Sequence, residues 1–251
     1  PDPNHAPPAF RPDQTQALTA LHQATTHGFQ VSLLDGVTGS GKTLVSFDLL
    51  ARAIEAGQSV LVLLPEIALS AQWLEQFKQR FGVAPALWHS SLTTTQRRQT
   101  WRAVAEGKVR VLVGARSALF LPFPSLGLIV VDEEHEAAFK QDEGTRYHAR
   151  DVAVMRAKLE DCPVLLCSAT PSLETLVNAK RGRYRHVVLD RRHSEARPLS
   201  ISAIDLRKDK PEKGQWLAEP MREALREESE RIIEVATDTY DRRADDLEER
   251  A

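Results

Sequence analysis

The stretch that most constrains the fold of this chain is VSLLDGVTGSGKT, which runs from Val31 to Thr43. Its apolar first part, with Val31, Leu33 and Leu34, is typical of a buried strand. Its second part, GVTGSGKT, fits the phosphate-binding pattern G-x-x-x-x-G-K-[ST], in which glycines let successive backbone amides converge on phosphate oxygens. The following residues predict an amphipathic helix at Lys42–Glu55, with the positive end of its dipole facing the same anion. The stretch therefore predicts a nucleoside triphosphate site between a strand and a helix.

Six consecutive residues of this loop are the predicted nucleotide contacts: Thr38, Gly39, Ser40, Gly41, Lys42 and Thr43. The Lys42 ammonium is expected on the β- and γ-phosphates, and the Thr43 hydroxyl is expected to bind magnesium. The alternative is a glycine-rich turn that binds nothing. The strand before the loop and the helix after it favour the nucleotide site.

Strand and helix patterns alternate along most of the chain. After the phosphate loop, strands are predicted at Ser59–Leu64, Ala84–His89, Val109–Val113, Leu126–Val131, Val164–Cys167 and His186–Leu189. Further helices are predicted at Asp13–Thr26 (with Asp13 as N-cap), Ile67–Phe81, Thr93–Glu106, Arg150–Glu160 and Ser172–Lys180. This alternation predicts an α/β fold with a mainly parallel sheet and helices on both faces. In such sheets ligands bind at the carboxyl ends of the strands, where the phosphate loop falls.

A second informative stretch is LIVVDEEH, from Leu128 to His135, where an apolar strand ends in acids. Asp132 is the candidate carboxylate ligand of magnesium opposite Thr43, and Glu133 is the candidate general base that polarises the attacking water. The alternative for this stretch alone is an acidic, solvated turn. Together with the phosphate loop, it predicts the second half of one catalytic site for a nucleoside triphosphate and magnesium.

Composition sets further bounds. With 42% apolar and 27% charged residues, the 251-residue chain has the make-up of an ordinary globular protein. It contains no run of about 18 apolar residues, so no membrane partner is expected. Cys162 and Cys167 are the only cysteines and are interpreted as buried small hydrophobic residues, which favours a cytoplasmic protein. The net charge of −2 is not that of a strongly basic nucleic-acid binder.

The order Asp-Glu-Glu-His at residues 132–135 resembles motif II of superfamily 2 helicases and translocases. Five stretches then resemble, in order, the first motor lobe of the replication-restart primosomal helicases: GVTGSGKT, LLPEIALSAQ, GARSALFLPFPSLGLIVVDEEHE, YHARDVAVMRA and CSATPSLETL. The resemblance covers most of residues 10–200 and implies a RecA-like phosphate-loop lobe.

The resemblance also implies residue roles. His135 would relay the nucleotide state, Ser168 and Thr170 would lie in motif III, and Gln14 would read adenine. The loop after motif II would sense single-stranded DNA, with Phe139 and Tyr147 stacking on bases and three cations meeting phosphates: Lys140, Arg146 and Arg150. Arg116, just past a strand end, is a further candidate phosphate contact. The chain departs from the family in having Phe139 where many relatives have tyrosine and in lacking a tryptophan before Tyr147. The arginines of the predicted Thr93–Glu106 helix are interpreted as a solvated face.

The expected organisation has four parts: an extended lead-in (1–12), the RecA-like lobe (13–197), the start of a connection into a second lobe (198–226), and a charged helical tail (227–251) interpreted as exposed or non-native. A strand at Ile201–Leu206 and a charged helix from Trp216 onward are further expectations. The resemblance implies a zinc-binding module and a second lobe with an arginine finger in the family, neither of which is expected in this chain. It also implies single-stranded or forked DNA and replication-restart and primosome proteins as partners.

Three hypotheses follow. The first is the ATP-binding lobe of a DNA-dependent ATPase that drives 3′-to-5′ translocation. The second is a non-catalytic nucleotide- or DNA-binding module without turnover of its own. The third, a small-molecule kinase, would need a substrate lid and acceptor site, and the Asp-Glu-Glu-His and Ser-Ala-Thr stretches disfavour it.

Overall fold

A computed structural model describes residues 1–25, 28–65, 71–142, 144–191, 203–211 and 215–229 of the chain. The chain forms two compact units, Pro1–Ala196 and Arg197–Ala251. No helix in the described ranges is both long enough and apolar enough to cross a bilayer.

A seven-stranded sheet forms the centre of the first unit, and every neighbouring pair of its strands is parallel. Its strands are β1 (Val31–Gly36), β2 (Ser59–Leu63), β3 (Ala86–Trp88), β4 (Val111–Gly114), β5 (Leu126–Val131), β8 (Val164–Ser168) and β9 (Arg185–Leu189). Two short antiparallel strands, β6 (Lys140–Gln141) and β7 (Tyr147–His148), form a separate hairpin. The sheet order is β3-β4-β2-β5-β8-β1-β9. Strand β8 therefore lies between β1, which carries the phosphate loop, and β5, which ends in the acidic turn.

Six helices cover the two faces of this sheet, as predicted. They are α1 (Pro12–Ala24), α2 (Lys42–Glu55), α3 (Ala71–Phe81), α4 (Thr94–Ala105), α5 (Ala149–Leu159) and α6 (Leu173–Lys180). Helices α1 to α3 pack into one apolar core, and α4 to α6 contribute to the core on the opposite face. Phe47 anchors the first core, with edge-to-face ring contacts to Trp73, Phe77 and Phe81 at centroid distances of 5.0, 5.9 and 5.7 Å.

Several boundaries differ from the predictions for local reasons. Helix α1 begins at Pro12, because proline is favoured in the first turn, so that Arg11 rather than Asp13 is the N-cap. Thr93 and Ser172 lie just before α4 and α6, where their hydroxyls accept hydrogen bonds from backbone amides of the first turn. The predicted start of α3 at Ile67 lies outside the described residues.

The sequence pattern did not predict three short elements around the acidic turn. These are the 3-10 segments Arg116–Phe120 and Ala137–Phe139 and the β6–β7 hairpin. Each is too short for a hydrophobic period to be visible.

In the second unit, residues 219–229 are helical, in line with the predicted charged helix, which begins three residues later than the predicted start at Trp216. Its predicted continuation past residue 229 lies outside the described residues. The predicted strand Ile201–Leu206 is wrong where it is described, since residues 203–205 have no regular structure. Asp205 Oδ1 instead accepts a hydrogen bond from the Arg207 amide at 3.1 Å, which makes a local turn.

Candidate nucleotide site and the neighbouring cleft

The phosphate loop turns from β1 into α2 through glycines that no other residue replaces easily. Gly39 and Gly41 have φ values of +79° and +92°, in the left-handed region that disfavours side chains with a Cβ. A Cβ on Gly41 would also lie 2.3 Å from Nε2 of Gln14. A hydrogen bond from the Ser40 amide to the Val37 carbonyl (3.0 Å) closes the loop.

Lys42 is buried at the first position of α2, and its Nζ donates to the Gly36 carbonyl at 2.7 Å. The ammonium is thus held within the curve of the loop, where a phosphate would exchange one oxygen partner for another. The Ser40 hydroxyl is buried without a hydrogen-bond partner among the described residues. An unpaired buried donor in a loop of this type matches the need of an incoming anion.

Gln14, the residue expected to read adenine, is held inside the protein by hydrogen bonds at both ends of its amide. Its side chain is fully buried, Nε2 donates to the Ser40 carbonyl at 3.0 Å, and Oε1 accepts from the Arg11 amide at 3.0 Å. Both polar atoms of the amide are therefore engaged within the protein. In this structure Gln14 supports the phosphate loop through the Ser40 carbonyl, and its expected contact with adenine stays a prediction.

The acidic turn begins where β5 ends. The Asp132 amide donates to the Leu63 carbonyl at 3.0 Å, which continues the sheet pairing with β2, and Asp132 Oδ1 accepts from the Glu133 amide at 3.1 Å. Burial, and after it the nearby Glu133 carboxylate, raise the pKa of Asp132 to about 6, although the hydrogen bond from the Glu133 amide and the Lys42 ammonium oppose the rise. Glu133 has a φ of +50°, an unfavourable left-handed conformation for a residue with a Cβ.

His135 and Ser168, assigned by the resemblance to motifs II and III, lie in contact. Nδ1 of His135 and Oγ of Ser168 are 2.8 Å apart, and the same oxygen accepts from the Thr170 amide at 3.0 Å. His135 Nδ1 is also 3.7 Å from Oε2 of Glu133. Because β8 lies between β5 and β1, this contact connects the acidic turn to the central strand of the site.

A cavity of about 710 Å³, here called the phosphate cavity, gathers both halves of the predicted site. Predicted residues in its lining are Thr38, Gly39, Gly41, Lys42, Thr43, Asp132 and Glu133. Helix α3 adds three residues that the sequence had not indicated: Gln72, Trp73 and Gln76.

A second opening of about 740 Å³, here called the lateral cleft, lies past the ends of β2, β3 and β4. Its polar and aromatic lining includes His89, Ser90, Arg97, Arg116, Ser117 and Tyr147. Arg116 donates through Nη1 to the Lys140 carbonyl, and Phe120 contacts the Tyr147 ring edge-to-face at 5.6 Å. These two contacts connect the cleft wall to the β6–β7 hairpin.

The arginines of α4 are exposed, as predicted for a solvated face, and Arg97 also lines the lateral cleft. Its Nη2 donates to the carbonyls of His89 and Ser90, each at 3.2 Å, and its guanidinium lies 5.9 Å from the Trp88 ring centroid. Arg97 therefore lies in the wall of the lateral cleft, beside the carboxyl end of β3.

The loop after the acidic turn contains both cleft residues and buried anchors. Phe139 is 1% exposed in the core on the α4–α6 face, so its ring cannot stack on a base, and the expected stacking is corrected. Arg150 is 7% exposed and pairs with Glu134 at 3.2 Å, so its expected contact with a phosphate is corrected as well. Lys140 and Arg146 are exposed, as a phosphate contact requires.

The cysteines pack as the sequence suggested. Cys162 and Cys167 are 3% and 1% exposed, and they lie in the cores on opposite faces of the sheet. Burial raises the pKa of the Cys162 thiol to about 12 and that of Cys167 well above its usual value, so both thiols stay protonated at neutral pH.

A model of the DEAD/DEAH box helicase family matches residues 11–179, which contain both halves of the phosphate cavity. The chain belongs to the DEAD/DEAH box helicases. Among curated relatives, the replication restart protein PriA of Rickettsia felis is 43% identical over 220 residues, which cover 88% of this chain and 33% of that protein. PriA of Bacillus subtilis is 44% identical over 180 residues, which cover 72% of this chain and 22% of that protein. The resemblance to replication-restart helicases is thereby confirmed.

The chain spans about a third or less of the length of these curated relatives. The structure of RecG bound to a three-way DNA junction matches with a TM-score of 0.56 and 22% identity, over 76% of this chain and 25% of that one. At that identity the match shows the fold alone, and the predicted α/β, RecA-like fold is confirmed.

Sequence reasoning missed residues that act through packing rather than through a motif. Glu134, Ser172 and Thr175 form a buried cluster beside Glu133. The available signal was the capping pattern of Ser172 before α6, but nothing in the sequence pairs that cap with Glu134.

Proposed function

We propose that this chain is the ATP-binding first lobe of a DNA-dependent helicase or translocase that moves 3′-to-5′ and acts in replication restart and primosome assembly. The observation that carries the proposal is that Lys42, Thr43, Asp132 and Glu133 line one cavity at the carboxyl ends of β1 and β5. Family membership and the similarity to PriA proteins support the DNA-directed part of the proposal.

The phosphate loop supplies the binding chemistry. Backbone amides from Gly39 to Thr43 face the phosphates at the positive end of α2, and Lys42 adds a charge-assisted hydrogen bond. Binding requires that Lys42 exchange the Gly36 carbonyl for a phosphate oxygen.

The residues present fit magnesium, although they do not form a complete protein cage. The Thr43 hydroxyl and the Asp132 carboxylate are hard oxygen ligands, which magnesium prefers. The described residues contain no group of three or more His, Cys, Asp or Glu side chains placed to hold a metal. That fits a cation held by one or two protein oxygens, with phosphates and water supplying the remaining ligands. When bound, magnesium would neutralise the charge that develops on the phosphates.

Glu133 is the proposed general base. It follows Asp132 directly and lines the same cavity, so its carboxylate is placed to orient water against the γ-phosphate. His135 is hydrogen-bonded to Ser168 and lies 3.7 Å from Glu133. It would therefore respond to the loss of the γ-phosphate and transmit that change to β8, which contains Ser168.

The lateral cleft is the proposed DNA contact. Arg97 and Arg116 offer cations, Ser90 and Ser117 offer hydroxyls, and Tyr147 offers a ring at one end of the same opening. A backbone-tracking site for single-stranded DNA needs this combination of phosphate contacts and stacking surface. Lys140 and Arg146 would extend it along the hairpin.

The nucleotide is expected to turn over slowly in this chain alone. Among the described residues, none that lines the phosphate cavity is an arginine. In related motors an arginine finger stabilises the transition-state charge, and its absence costs on the order of 10³-fold or more in rate. The same observation favours the second candidate, a nucleotide-binding module without turnover of its own.

Titration with a fluorescent ATP analogue tests the nucleotide site. The wild-type chain should bind in a magnesium-dependent manner, and Lys42→Ala should weaken binding about 10- to 100-fold, because a charge-assisted hydrogen bond contributes about 1.5–3 kcal/mol. Lys108→Ala, a change at a lysine that pairs with Glu106 on the surface, is the matched control. Equal affinities of wild type and Lys42→Ala would contradict the proposed site.

Hydrolysis assays with and without single-stranded DNA separate the two candidates. Slow turnover that DNA accelerates supports the motor lobe, whereas binding of both ligands without any turnover supports the non-catalytic module. A chain that binds nucleotide but has no affinity for DNA would contradict the proposed cleft. Fluorescence from Trp73, in the phosphate cavity, and from Trp88, beside Arg97, can report the two ligands separately in single-tryptophan variants.

A further inference from the structure

Glu134 is a fully buried acid directly after the proposed general base. Its Oε1 accepts the Ser172 amide at 2.8 Å. Its Oε2 accepts the Ser172 hydroxyl at 3.0 Å, the Thr175 hydroxyl at 2.9 Å and Arg150 Nη1 at 3.2 Å. A carboxylate with four protein donors and no exposed surface cannot meet a nucleotide, a metal or water. Any effect that it has on the reaction must therefore act through other residues.

Arg150 connects this cluster to the hairpin. It is the second residue of α5 and follows β7 almost directly, so the backbone of Arg150 is joined to the base of the hairpin by one residue. The guanidinium is itself buried and also donates to the Ser172 hydroxyl at 2.6 Å and to Asp151 at 2.9 Å. A buried cation loses its stabilisation if its anion moves away, so the positions of Arg150 and Glu134 are interdependent.

On its other side, Glu134 is joined to the strained backbone of Glu133. The left-handed conformation at this position, with a φ of +50°, persists only where the surroundings hold it. The Glu134 amide donates to the Cys167 carbonyl at 3.0 Å, and the Glu136 amide donates to the Glu133 carbonyl at 2.9 Å. The Glu134 side chain completes these restraints, since it fixes the residue next to Glu133 against α5 and α6.

We propose that Glu134 and Arg150 are positioning residues: their buried ion pair holds Glu133 in its left-handed conformation and makes that conformation depend on the position of the β6–β7 hairpin. The inference rests on the proposed function, because it takes Glu133 as the general base. It goes beyond that function because it names the two residues, Glu134 and Arg150, that link the β6–β7 hairpin to the general base, although neither residue contacts ATP or DNA.

The test uses the whole 251-residue chain with Glu134→Gln, Arg150→Met and the double variant. Single-turnover hydrolysis of labelled ATP, with protein in excess and single-stranded DNA present, should slow about 10- to 100-fold in each single variant, because small misplacements of a catalytic group have effects of that size. The affinity for nucleotide should stay within about twofold, since no contact to the phosphates is lost. The hydrolysis rate of the double variant should be higher than that of Glu134→Gln, because the double variant leaves no unpaired buried cation.

Arg156→Met is the matched control on the same helix. Arg156 donates to the carbonyls of Leu119 and Leu121, and it does not contact the acidic turn. A positioning role predicts that this control loses stability without a change in the hydrolysis rate. If it slowed hydrolysis as much as Arg150→Met, or if the Glu134 and Arg150 variants weakened nucleotide affinity and rate in parallel, the pair would be merely structural and the proposal overturned.

Hydrogen exchange gives a readout that does not depend on turnover. The amides of Glu134 and Glu136 are the reporters, because both are hydrogen-bonded within the turn. They should exchange about 10-fold faster or more in Arg150→Met than in wild type or Arg156→Met, since the restraint on the turn is lost. Unchanged exchange would overturn the proposal even if the chain does not hydrolyse ATP. Failure of Lys42→Ala to affect nucleotide binding would instead remove the proposed function.

Discussion

The phosphate cavity and the lateral cleft open at the same edge of one sheet, yet they are built in opposite ways. The cavity comes mainly from two contiguous stretches, the loop before α2 and the turn after β5. The cleft collects short segments from six places in the chain: residues 89–91 and 115–117 after β3 and β4, with further residues from the end of β2, from α4, from the 3-10 segment after the acidic turn and from the hairpin. Phosphate binding by backbone amides needs a fixed local sequence, whereas a chain of phosphates can be met by cations from any element that reaches it. The first site is therefore readable from sequence, and the second depends on the fold.

The largest expected effect lies in the cavity, at Glu133. Glu133→Gln should lower the rate of ATP hydrolysis about 10²- to 10⁴-fold, the usual contribution of a general base, and should leave nucleotide affinity within about twofold. Single-turnover assays and analogue titration measure the two quantities. Glu106→Gln makes the same chemical change at a surface acid that pairs with Lys108, and it should leave the rate unchanged. If Glu133→Gln had only a weak effect, Glu133 would not be the general base, although the acidic turn is recognisable from the sequence.

The next effect separates the two aromatic residues near the hairpin. Phe139→Ala should destabilise the chain by about 3–5 kcal/mol, because a fully buried ring is removed. Phe120→Ala, at a ring that is 63% exposed and contacts Tyr147, should cost at most about 1.5 kcal/mol. Denaturant unfolding measures both changes. A stable Phe139→Ala variant with weakened DNA binding would restore the base-stacking role that its burial contradicts.

The same contrast explains how far the sequence could predict the molecule. Periodicity and the two motifs were sufficient for the parallel sheet, the helices on both faces, and the joint cavity of Lys42 and Asp132. They were not sufficient for Phe139, Arg150 and Gln14, because burial decides what an aromatic, cationic or amide side chain can touch. Each of these residues has a family motif around it and a structural partner that lies distant in sequence.

A smaller effect is expected in the lateral cleft. Arg97→Ala and Arg116→Ala should each weaken single-stranded DNA binding about three- to tenfold and reduce the salt slope by about 0.7 for each lost phosphate contact. Affinity measured over a range of salt concentrations, for example by fluorescence anisotropy, gives both numbers. Arg98→Ala is the matched control, because this exposed neighbour of Arg97 does not line the cleft. Equal losses in all three variants would indicate a general charge effect and remove the distinction between cleft and helix face.

The smallest expected effect on ligand binding is that of Gln14→Ala, which tests whether the Gln14 side chain supports the phosphate loop or contacts the adenine base. Gln14→Ala removes the donor to the Ser40 carbonyl and the acceptor for the Arg11 amide, at about 1–3 kcal/mol for buried groups left unpaired. Most of that loss should appear as a lower free energy of unfolding. The affinity for nucleotide should fall only about two- to fivefold. If the side chain braces the loop, ATP and GTP analogues should weaken equally, because both meet the same amides. A loss confined to ATP would show that the amide leaves Ser40 to read adenine, and the cavity would then depend on a residue outside its two contiguous motifs.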